Sequence, residues 1–207
     1  MTQKKYTMQI RLLSDALIGT SGGYGAIIDK DSVFDEAGLP FIPGKRVKGI
    51  LREQADLLEK FKYLKNPVDK LFGKSGFIGS KTDYLSVSSF TIPEYEENKA
   101  LLLYLIQKGK IARSEVINSF TSLRMITSID EDGIAKDTSL RTFRILNKGL
   151  IFKGDLSFNP DELEDFENII ALTRRIGSIR NRGLGYIQCS IVENVISDIK
   201  IQKTEAI

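Results

Sequence analysis

The sequence contains no histidine, no tryptophan and a single cysteine, Cys189. Without histidine, Ser-His-Asp and Cys-His catalysis, imidazole general bases and the usual zinc sites are excluded. One cysteine cannot form an internal disulfide, and the stretch YIQCSIV predicts a small buried hydrophobic side chain in a strand. Any chemistry must therefore come from carboxylates, lysine, tyrosine, the backbone or a metal ion held by oxygen ligands.

Long apolar runs are missing as well. No stretch approaches the roughly 20 apolar residues of a bilayer span, and the N-terminal MTQKKYTMQI has no apolar signal-peptide core. We therefore expect a cytoplasmic protein with no membrane partner. The chain has 207 residues, 42% of them hydrophobic, which suits a single domain over 1–207 with its own core.

Neither sign of charge is in large excess, because 30 Lys and Arg residues oppose 27 Asp and Glu residues for a net charge of +3. A net charge this small does not indicate a partner. What matters is where the charges cluster along the chain.

The apolar pattern of the first third predicts a strand and then a helix. KYTMQIRLLS alternates apolar and polar residues, as a half-buried strand does, and residues 44 to about 60 have the spacing of a helix. The apolar face predicted for this helix consists of Val47, Ile50, Leu51, Leu57, Leu58 and Phe61. Between strand and helix lies a glycine-rich, acidic loop.

The rest of the chain predicts further elements in an order that indicates the fold. Strands are predicted in YLSVSSFTI, SLRMIT, LRTFRIL, LIFKGDLSF and around Cys189, with one or two helices between 95 and 118. A helix in NPDELEDFENIIALTRRIG is predicted to be capped by Asn159 and ended by Gly177. This β-α-β-β-α-β order predicts an α+β, ferredoxin-like core with an inserted segment.

A basic stretch, GLPFIPGKRVKGILR, begins the first helix. It is not a P-loop, because five residues instead of four separate Gly38 from Gly44 and no Ser or Thr follows the lysine to bind magnesium. The start of a helix nevertheless offers free N–H groups to an anion. We therefore predict an anion site at this helix N-terminus.

The same helix is predicted to carry a basic ridge on the side opposite its apolar face, where it could follow more than one phosphate. The residues concerned at the helix start and along the ridge are Lys45, Arg46, Lys48 and Arg52. The alternative is an ordinary solvated helix face.

A second basic stretch, RRIGSIRNRGLGY, interleaves glycine with arginine. Glycine lets the backbone approach a ligand, and arginine can fork onto phosphate oxygens or stack on a base. A glycine-capped helix followed by a tight turn would explain the glycines but not the density of arginine. The predicted nucleic-acid contacts here are Arg180, Asn181, Arg182 and Gly183.

The acidic loop holds Asp29, Asp31, Asp35 and Glu36. Carboxylates near bound phosphates can hold a divalent metal or orient an attacking hydroxyl, and without histidine they are the main candidates for hydrolytic chemistry. Acidic loops also serve solubility, which is the simpler explanation for at least two of the four.

Together these stretches resemble the RAMP superfamily of CRISPR effector proteins, in particular the backbone subunits of type III interference complexes. GLPFIPGKRVKGILRE is similar to the family's signature at the first helix, and IGSIRNRGLGYIQ to its C-terminal glycine-rich loop. LFGKSG and IDEDGIAKDTSLRTFRILNKGLIFKGDLSF are similar to its insertion and to its hairpin thumb with the strand that follows. Here Lys45 and Arg46 stand in place of the family's usual pair of small hydroxyl residues.

The resemblance implies a ferredoxin-like core, similar to an RNA-recognition motif, and it also implies partners and a site. It implies an insertion over about 62–118, a thumb hairpin over about 127–142, and a filament of several copies or paralogues with other RAMP and type III subunits. The guide RNA would bind the basic helix and the glycine-rich loop, and the thumb would kink the duplex of guide and target RNA. In family members that cut the target, a loop aspartate carries metal-dependent cleavage. Asp29 matches that position, Asp31 is the nearest substitute, and the implied metal is a divalent ion such as Mg²⁺.

Three other functions fit parts of the sequence. One is a purely structural RAMP subunit without an active site. Another is an endonuclease that processes repeat RNA, although many of those enzymes use histidine. The last is a metabolic enzyme on a ferredoxin-like fold, for which the sequence offers no small-molecule pocket signature.

Overall fold

The structure, a computed structural model, describes residues 3–19, 28–74, 84–127 and 139–193. In chain order the elements are β1 (Lys4–Leu12), β2 (Phe41–Ile42), α1 (Gly44–Lys60), α2 (Val68–Phe72), β3 (Ser86–Val87), β4 (Phe90–Thr91), α3 (Tyr95–Gln107), α4 (Arg113–Phe120), β5 (Thr121–Ile126), β6 (Arg141–Leu146), β7 (Ile151–Phe158), α5 (Leu163–Leu172) and β8 (Ile187–Glu193). Short 3₁₀ turns cover Pro160–Glu162 and Arg180–Arg182.

The main sheet confirms the ferredoxin-like α+β prediction. Its strand order is β2-β4-β7-β1-β8, with β3 also pairing with β7. The first strand, β1, lies at the centre and pairs antiparallel with β7 and β8. The strands β1 and β7 thus lie side by side, with the last strand, β8, at one edge, as the β-α-β-β-α-β plan requires.

One face of this sheet forms the core. Alternate side chains of β1, including Met8 and Ile10, are fully buried, and so are Phe152 and Leu156 of β7. They pack in one cluster with α1 and α5. Because side chains in a strand alternate between faces, the intervening residues of β1, β7 and β8 form the opposite face, which no helix of this cluster covers.

The apolar face of α1 is narrower than its sequence predicts. Val47, Leu51 and Ala55 are buried, and they anchor the helix on the sheet. Leu57 and Phe61, predicted to pack as well, are 42% and 66% exposed. The prediction is wrong for these two residues, while Leu58 of the last turn packs against the core.

Helix α5 is shorter at both ends than predicted. Asn159 is, as predicted, the N-cap, but of the 3₁₀ turn Pro160–Glu162 that runs into α5, and the Glu162 carboxylate accepts a hydrogen bond from the backbone N–H of Asn159. The helix ends at Leu172, and Thr173 is extended. Beyond it, Arg175 pairs as a β-bridge with Tyr186. The arginines predicted for the last helical turn therefore belong to an extended segment.

A separate two-stranded ribbon, β5–β6, confirms the two strands predicted on either side of the thumb. Residues 128–138 of the predicted thumb lie outside the described residues. A third segment joins this ribbon, because Lys30 pairs in parallel with Phe143 of β6. The acidic loop is thereby fixed to β6.

Cys189 lies in β8 as predicted, although it is half-buried rather than buried. Burial raises the pKa of its thiol to about 12, so the thiol is not reactive at neutral pH. Within the described residues, no helix is both long and apolar enough to cross a bilayer.

Candidate nucleic-acid interface

The first turn of α1 is held close to the sheet. Gly44 is buried, and a Cβ at this position would clash with the backbone carbonyl oxygens of Val87 and Ser88. The glycine before the basic residues thus serves close packing of the helix start against the backbone that follows β3. Lys45 and Arg46, the next two residues, are exposed.

The basic ridge predicted along α1 is not a free surface. The Lys48 ammonium donates a hydrogen bond of 2.7 Å to the backbone oxygen of Leu85. Arg52 donates to the backbone oxygen of Gly73 at 2.6 Å and forms an ion pair with Asp69 at 3.0 Å. Both cations are half-buried, and burial, followed by the nearby Arg52 charge, lowers the pKa of Lys48. They fasten the segment after α1 to the helix.

The glycine-rich loop is built from residues in left-handed backbone conformations. Ile179 has φ of 59°, and Gly183 and Gly185 have φ of 79° and 74°. A Cβ on Gly185 would collide with the backbone oxygen of Ile176, whereas one on Gly183 would meet nothing within 4 Å. Gly185 is therefore required by packing, while Gly183 leaves open space above the backbone, as a bound strand would need.

The arginines of this loop differ in their partners. Arg180 forms an ion pair of 2.9 Å with Glu53 of α1. Its backbone oxygen accepts a hydrogen bond of 2.6 Å from Arg175. Asn181 and Arg182 are exposed, and neither side chain has a hydrogen bond or ion pair within the described part of the chain.

The loop and the start of α1, far apart in sequence, lie side by side. The Arg46 guanidinium donates to the backbone oxygen of Gly19. Two residues earlier, Leu17 pairs as a β-bridge with Ser178 at the start of the loop. The end of the first strand segment thus joins the two predicted RNA-binding stretches. We call the residues Lys45, Arg46, Arg180, Asn181 and Arg182 the basic surface.

An open pocket of about 440 Å³ lies between α1 and this loop. Glu53 and Gln54 line its α1 side, and Arg174, Arg175 and Arg180 line the other. Arg174 is exposed, and in the described residues its side chain has no hydrogen-bond or ion-pair partner. The pocket therefore offers unpaired positive charge beside the basic surface.

Asp29, the predicted catalytic residue, lies beside the first two residues of β6, Arg141 and Thr142. Its carboxylate accepts a hydrogen bond of 2.7 Å from the backbone N–H of Thr142 and forms an ion pair of 3.2 Å with Arg141. The side chain is 34% exposed. The carboxylate is thus oriented by β6 and still reachable from solvent.

Asp31, the predicted substitute, has a different environment. Its side chain is 3% exposed and forms an ion pair of 2.8 Å with Arg144. The other carboxylate oxygen accepts from the backbone N–H of Ser32. Burial raises the pKa of Asp31, and the charge of Arg144 opposes that rise. This geometry makes Asp31 a structural residue that locks the acidic loop to β6.

The remaining loop acids hold the α3–α4 segment. The Tyr95 hydroxyl donates to the Asp35 carboxylate at 2.8 Å, and Glu36 pairs with Lys99. In the described ranges, no group of three Asp, Glu, His or Cys residues could hold a metal ion. Both oxygens of Asp29 also face N–H donors. These residues therefore do not fit a metal site built by the protein alone.

Two residues of this interface, Glu53 and Tyr186, are not predicted from the sequence. Glu53 is distinguished only by its negative charge within a basic helix. Tyr186 follows the glycine-rich loop, is 43% exposed and lies against Arg175. An aromatic residue directly after an arginine-glycine loop was the available signal.

A family comparison matches most of the chain. The model of the RAMP superfamily matches residues 9–188, which include the end of β1, all of α1, the acidic loop and the glycine-rich loop. A comparison with curated proteins finds no match.

Solved structures share the fold at low sequence identity. One chain of the type III-B Cmr-beta cryo-EM structure bound to cognate target RNA is 15% identical, with a TM-score of 0.68, covering 94% of this chain and 99% of that one. In the apo state of Cmr-beta, a chain also 15% identical has a TM-score of 0.65, with 93% and 99% covered. At this identity the likeness concerns the fold.

Proposed function

The chain belongs to the RAMP superfamily, and on that basis we propose that it is an RNA-binding backbone subunit of a type III CRISPR interference complex. In this role it holds part of the guide RNA and presents it to target RNA. It assembles in the cytoplasm with other RAMP subunits, in several copies or with paralogues. The match to a chain of a Cmr-beta structure bound to target RNA supports this proposal.

The observation that carries the proposal is the basic surface. Two stretches separated by more than a hundred residues meet there, and three of its members, Lys45, Asn181 and Arg182, have unpaired side chains within the described residues. Phosphate contacts supply most of the affinity of a protein that follows an RNA backbone, without reading its sequence. A guide whose sequence varies requires such contacts.

Lys48 and Arg52 have an indirect role in this account. Because their cationic groups bind the backbone oxygens of Leu85 and Gly73, they are not the primary phosphate ligands. They fasten the segment after α1 to the helix that carries Lys45 and Arg46.

The experiment is a salt titration of RNA affinity, measured by fluorescence anisotropy with a labelled single-stranded RNA. Arg182→Ala should weaken binding and reduce the slope of log affinity against log salt by about 0.7, as expected for one lost phosphate contact. Lys110→Ala, which removes an exposed cation in the turn before α4, is the matched control and should change neither quantity. Equal effects of the two variants would contradict the basic surface.

Cleavage of target RNA is a second candidate, favoured by the position of Asp29. Its carboxylate is partly exposed and is oriented by Thr142 at the start of β6, next to the segment predicted to form the thumb. RNA carries its own nucleophile in the 2′-OH, so a strand kinked there could be cleaved without histidine. A purely structural subunit would keep the same geometry without cutting.

Asp29→Asn separates these two roles. The amide oxygen can still accept from Thr142, so guide binding should be unchanged while cutting of labelled target by the assembled complex is lost. Reactions with Mg²⁺ and with a chelator test the predicted metal dependence. Equal cutting by the variant would exclude Asp29, and no cutting by the wild-type complex would favour the structural subunit.

A further inference from the structure

The face of the main sheet opposite the helices is polar. In the register of β8, β1 and β7, Ser190, Gln9 and Lys153 form one row. Gln188, Arg11 and Ile151 form the next. All but Gln9 and Ile151, which are half-buried, are exposed. The rows therefore offer hydrogen-bonding groups and positive charge, but no ring on which a base could stack.

At one end of this face the chemistry changes. Tyr186 immediately precedes β8, and because Ile187 points into the core, Tyr186 lies on the polar face. Leu13 follows β1 and continues its register with Tyr186, whose backbone oxygen accepts from the Leu13 N–H at 2.8 Å. Both side chains are about two-fifths exposed. A tyrosine and a leucine thus form a small apolar patch beside Arg11.

The ring of Tyr186 is fixed in place. The Arg175 guanidinium lies 5.7 Å from the ring centroid and is itself held by a hydrogen bond to the backbone oxygen of Arg180. On the backbone, the Tyr186 N–H donates to the Ser14 hydroxyl at 2.9 Å. The ring is already oriented on one side and is exposed elsewhere. Binding would therefore have little remaining side-chain freedom to remove.

We propose that Tyr186 is a stacking platform for one unpaired base of the bound RNA, with Arg175 as the residue that orients its ring. This rests on the proposed RNA-binding function and extends the interface from the basic surface onto the polar face of the sheet. Phosphates of the same strand would meet Arg174 and Arg182 on one side and Arg11 on the other. Base stacking is tolerant of sequence, which suits a guide of variable sequence.

The surroundings favour RNA over a protein partner. A protein contact centred on tyrosine requires a larger apolar area than Tyr186 and Leu13 provide. Four arginines instead lie near the ring in sequence or in strand register, namely Arg11, Arg174, Arg175 and Arg182. Unpaired bases bind to aromatic side chains, and arginines bind the flanking phosphates.

The test combines substitutions at Tyr186 with single abasic sites in the RNA. Wild-type protein should bind more weakly to RNA that is abasic at one particular position than to intact RNA. On intact RNA, Tyr186→Ala should bind roughly 5- to 150-fold more weakly than the wild type. The abasic site should cause no further loss of affinity in Tyr186→Ala. Tyr186→Phe should keep the wild-type affinity. Tyr186→Leu, which retains apolar volume without a π face, should bind as weakly as the alanine variant.

The controls separate this inference from the proposed function. Tyr104→Ala removes a tyrosine that is 56% exposed on α3 and should leave RNA affinity unchanged. Tyr186→Ala should keep the wild-type salt slope, because no phosphate contact is lost. If the wild type binds RNA with the expected salt slope and Tyr186→Ala or Tyr186→Leu binds equally well, only the stacking platform is refuted. A Tyr186→Ala effect confined to self-association would also refute it, and a wild type that binds no RNA would refute both proposals.

Discussion

Arg180 of the glycine-rich loop and Glu53 of α1 form an ion pair of 2.9 Å across the two halves of the basic surface. Both side chains are substantially exposed, so the pair contributes little to stability. Its importance is electrostatic, because Glu53 neutralises an arginine that a phosphate could otherwise bind. An RNA strand that reaches Arg180 must displace this carboxylate.

Glu53→Gln should therefore strengthen RNA binding. The substitution releases Arg180 and removes a negative charge from the pocket beside it, so we expect a several-fold gain in affinity at low salt that diminishes as salt is raised. Glu164→Gln, which breaks the exposed ion pair with Lys65 elsewhere, is the control with the same charge change. A gain of equal size in both variants would mean that only net charge matters.

Arg52→Ala should lower stability more than it lowers RNA affinity. The substitution removes the donor to the Gly73 backbone oxygen and the ion pair with Asp69, at a cost of about 1 kcal/mol in the free energy of unfolding. Hydrogen exchange should show faster opening of α2. Arg182→Ala should show the reverse, with unchanged unfolding and weaker RNA binding, and the same phenotype in both variants would contradict the distinction.

Asp31→Ala should be among the most destabilising single changes in the acidic loop. It leaves the partly buried Arg144 without its carboxylate partner and the Ser32 N–H without its acceptor, and we expect a loss of about 3 kcal/mol. Asp31→Asn keeps an acceptor for Ser32 and should lose less. Urea unfolding measures both variants, and a loss for Asp31→Ala no larger than that for Asp29→Ala would be inconsistent with a structural Asp31.

Two glycines of one loop provide a matched pair. Gly185→Ala places a methyl group against the Ile176 backbone oxygen in a left-handed conformation, whereas Gly183→Ala adds only the conformational cost of about 1 kcal/mol. We expect the melting temperature to fall much further for Gly185→Ala. Similar melting temperatures would show that the loop rearranges freely and does not present a fixed backbone.

Tyr95 should make stability depend on alkaline pH. Burial, followed by the hydrogen bond to Asp35, raises the pKa of Tyr95 from its ordinary value of 10.0 to about 12. Since the raised pKa is in the folded state, the stabilisation is complete below pH 10.0 and is lost as pH approaches 12. Urea unfolding should show a constant difference between wild type and Tyr95→Phe up to pH 10 and a shrinking one above it.

The sequence was sufficient for the fold because its signals are local and periodic. The alternation in β1 and β7 and the spacing of Val47 and Leu51 in α1 predict which faces are buried, and those faces determine how strands and helices stack. The β5–β6 ribbon was equally predictable from its two strands. The loop segment around Lys30, which joins β6, was not, because pairing between distant segments leaves no periodic trace.

The site was less predictable for the same physical reason. Helical angles correctly place Lys48 and Arg52 away from the core. They do not show that these side chains bind the backbone oxygens of Leu85 and Gly73. The end of α5 was misplaced because the bridge of Arg175 to Tyr186 draws the chain into an extended conformation. A tertiary contact overrides the local helical preference in that segment.

Binding of guide RNA by this chain can be tested by the ultraviolet spectrum of the protein purified after co-expression with a guide RNA. With seven tyrosines and no tryptophan, the protein absorbs weakly at 280 nm, so bound RNA would dominate the spectrum. We expect stronger absorbance at 260 nm than at 280 nm, and we expect nuclease digestion to remove this excess. The excess should be smaller for Arg182→Ala than for the wild type. A protein that elutes free of RNA and fails to bind added guide would contradict the proposed binding of guide RNA.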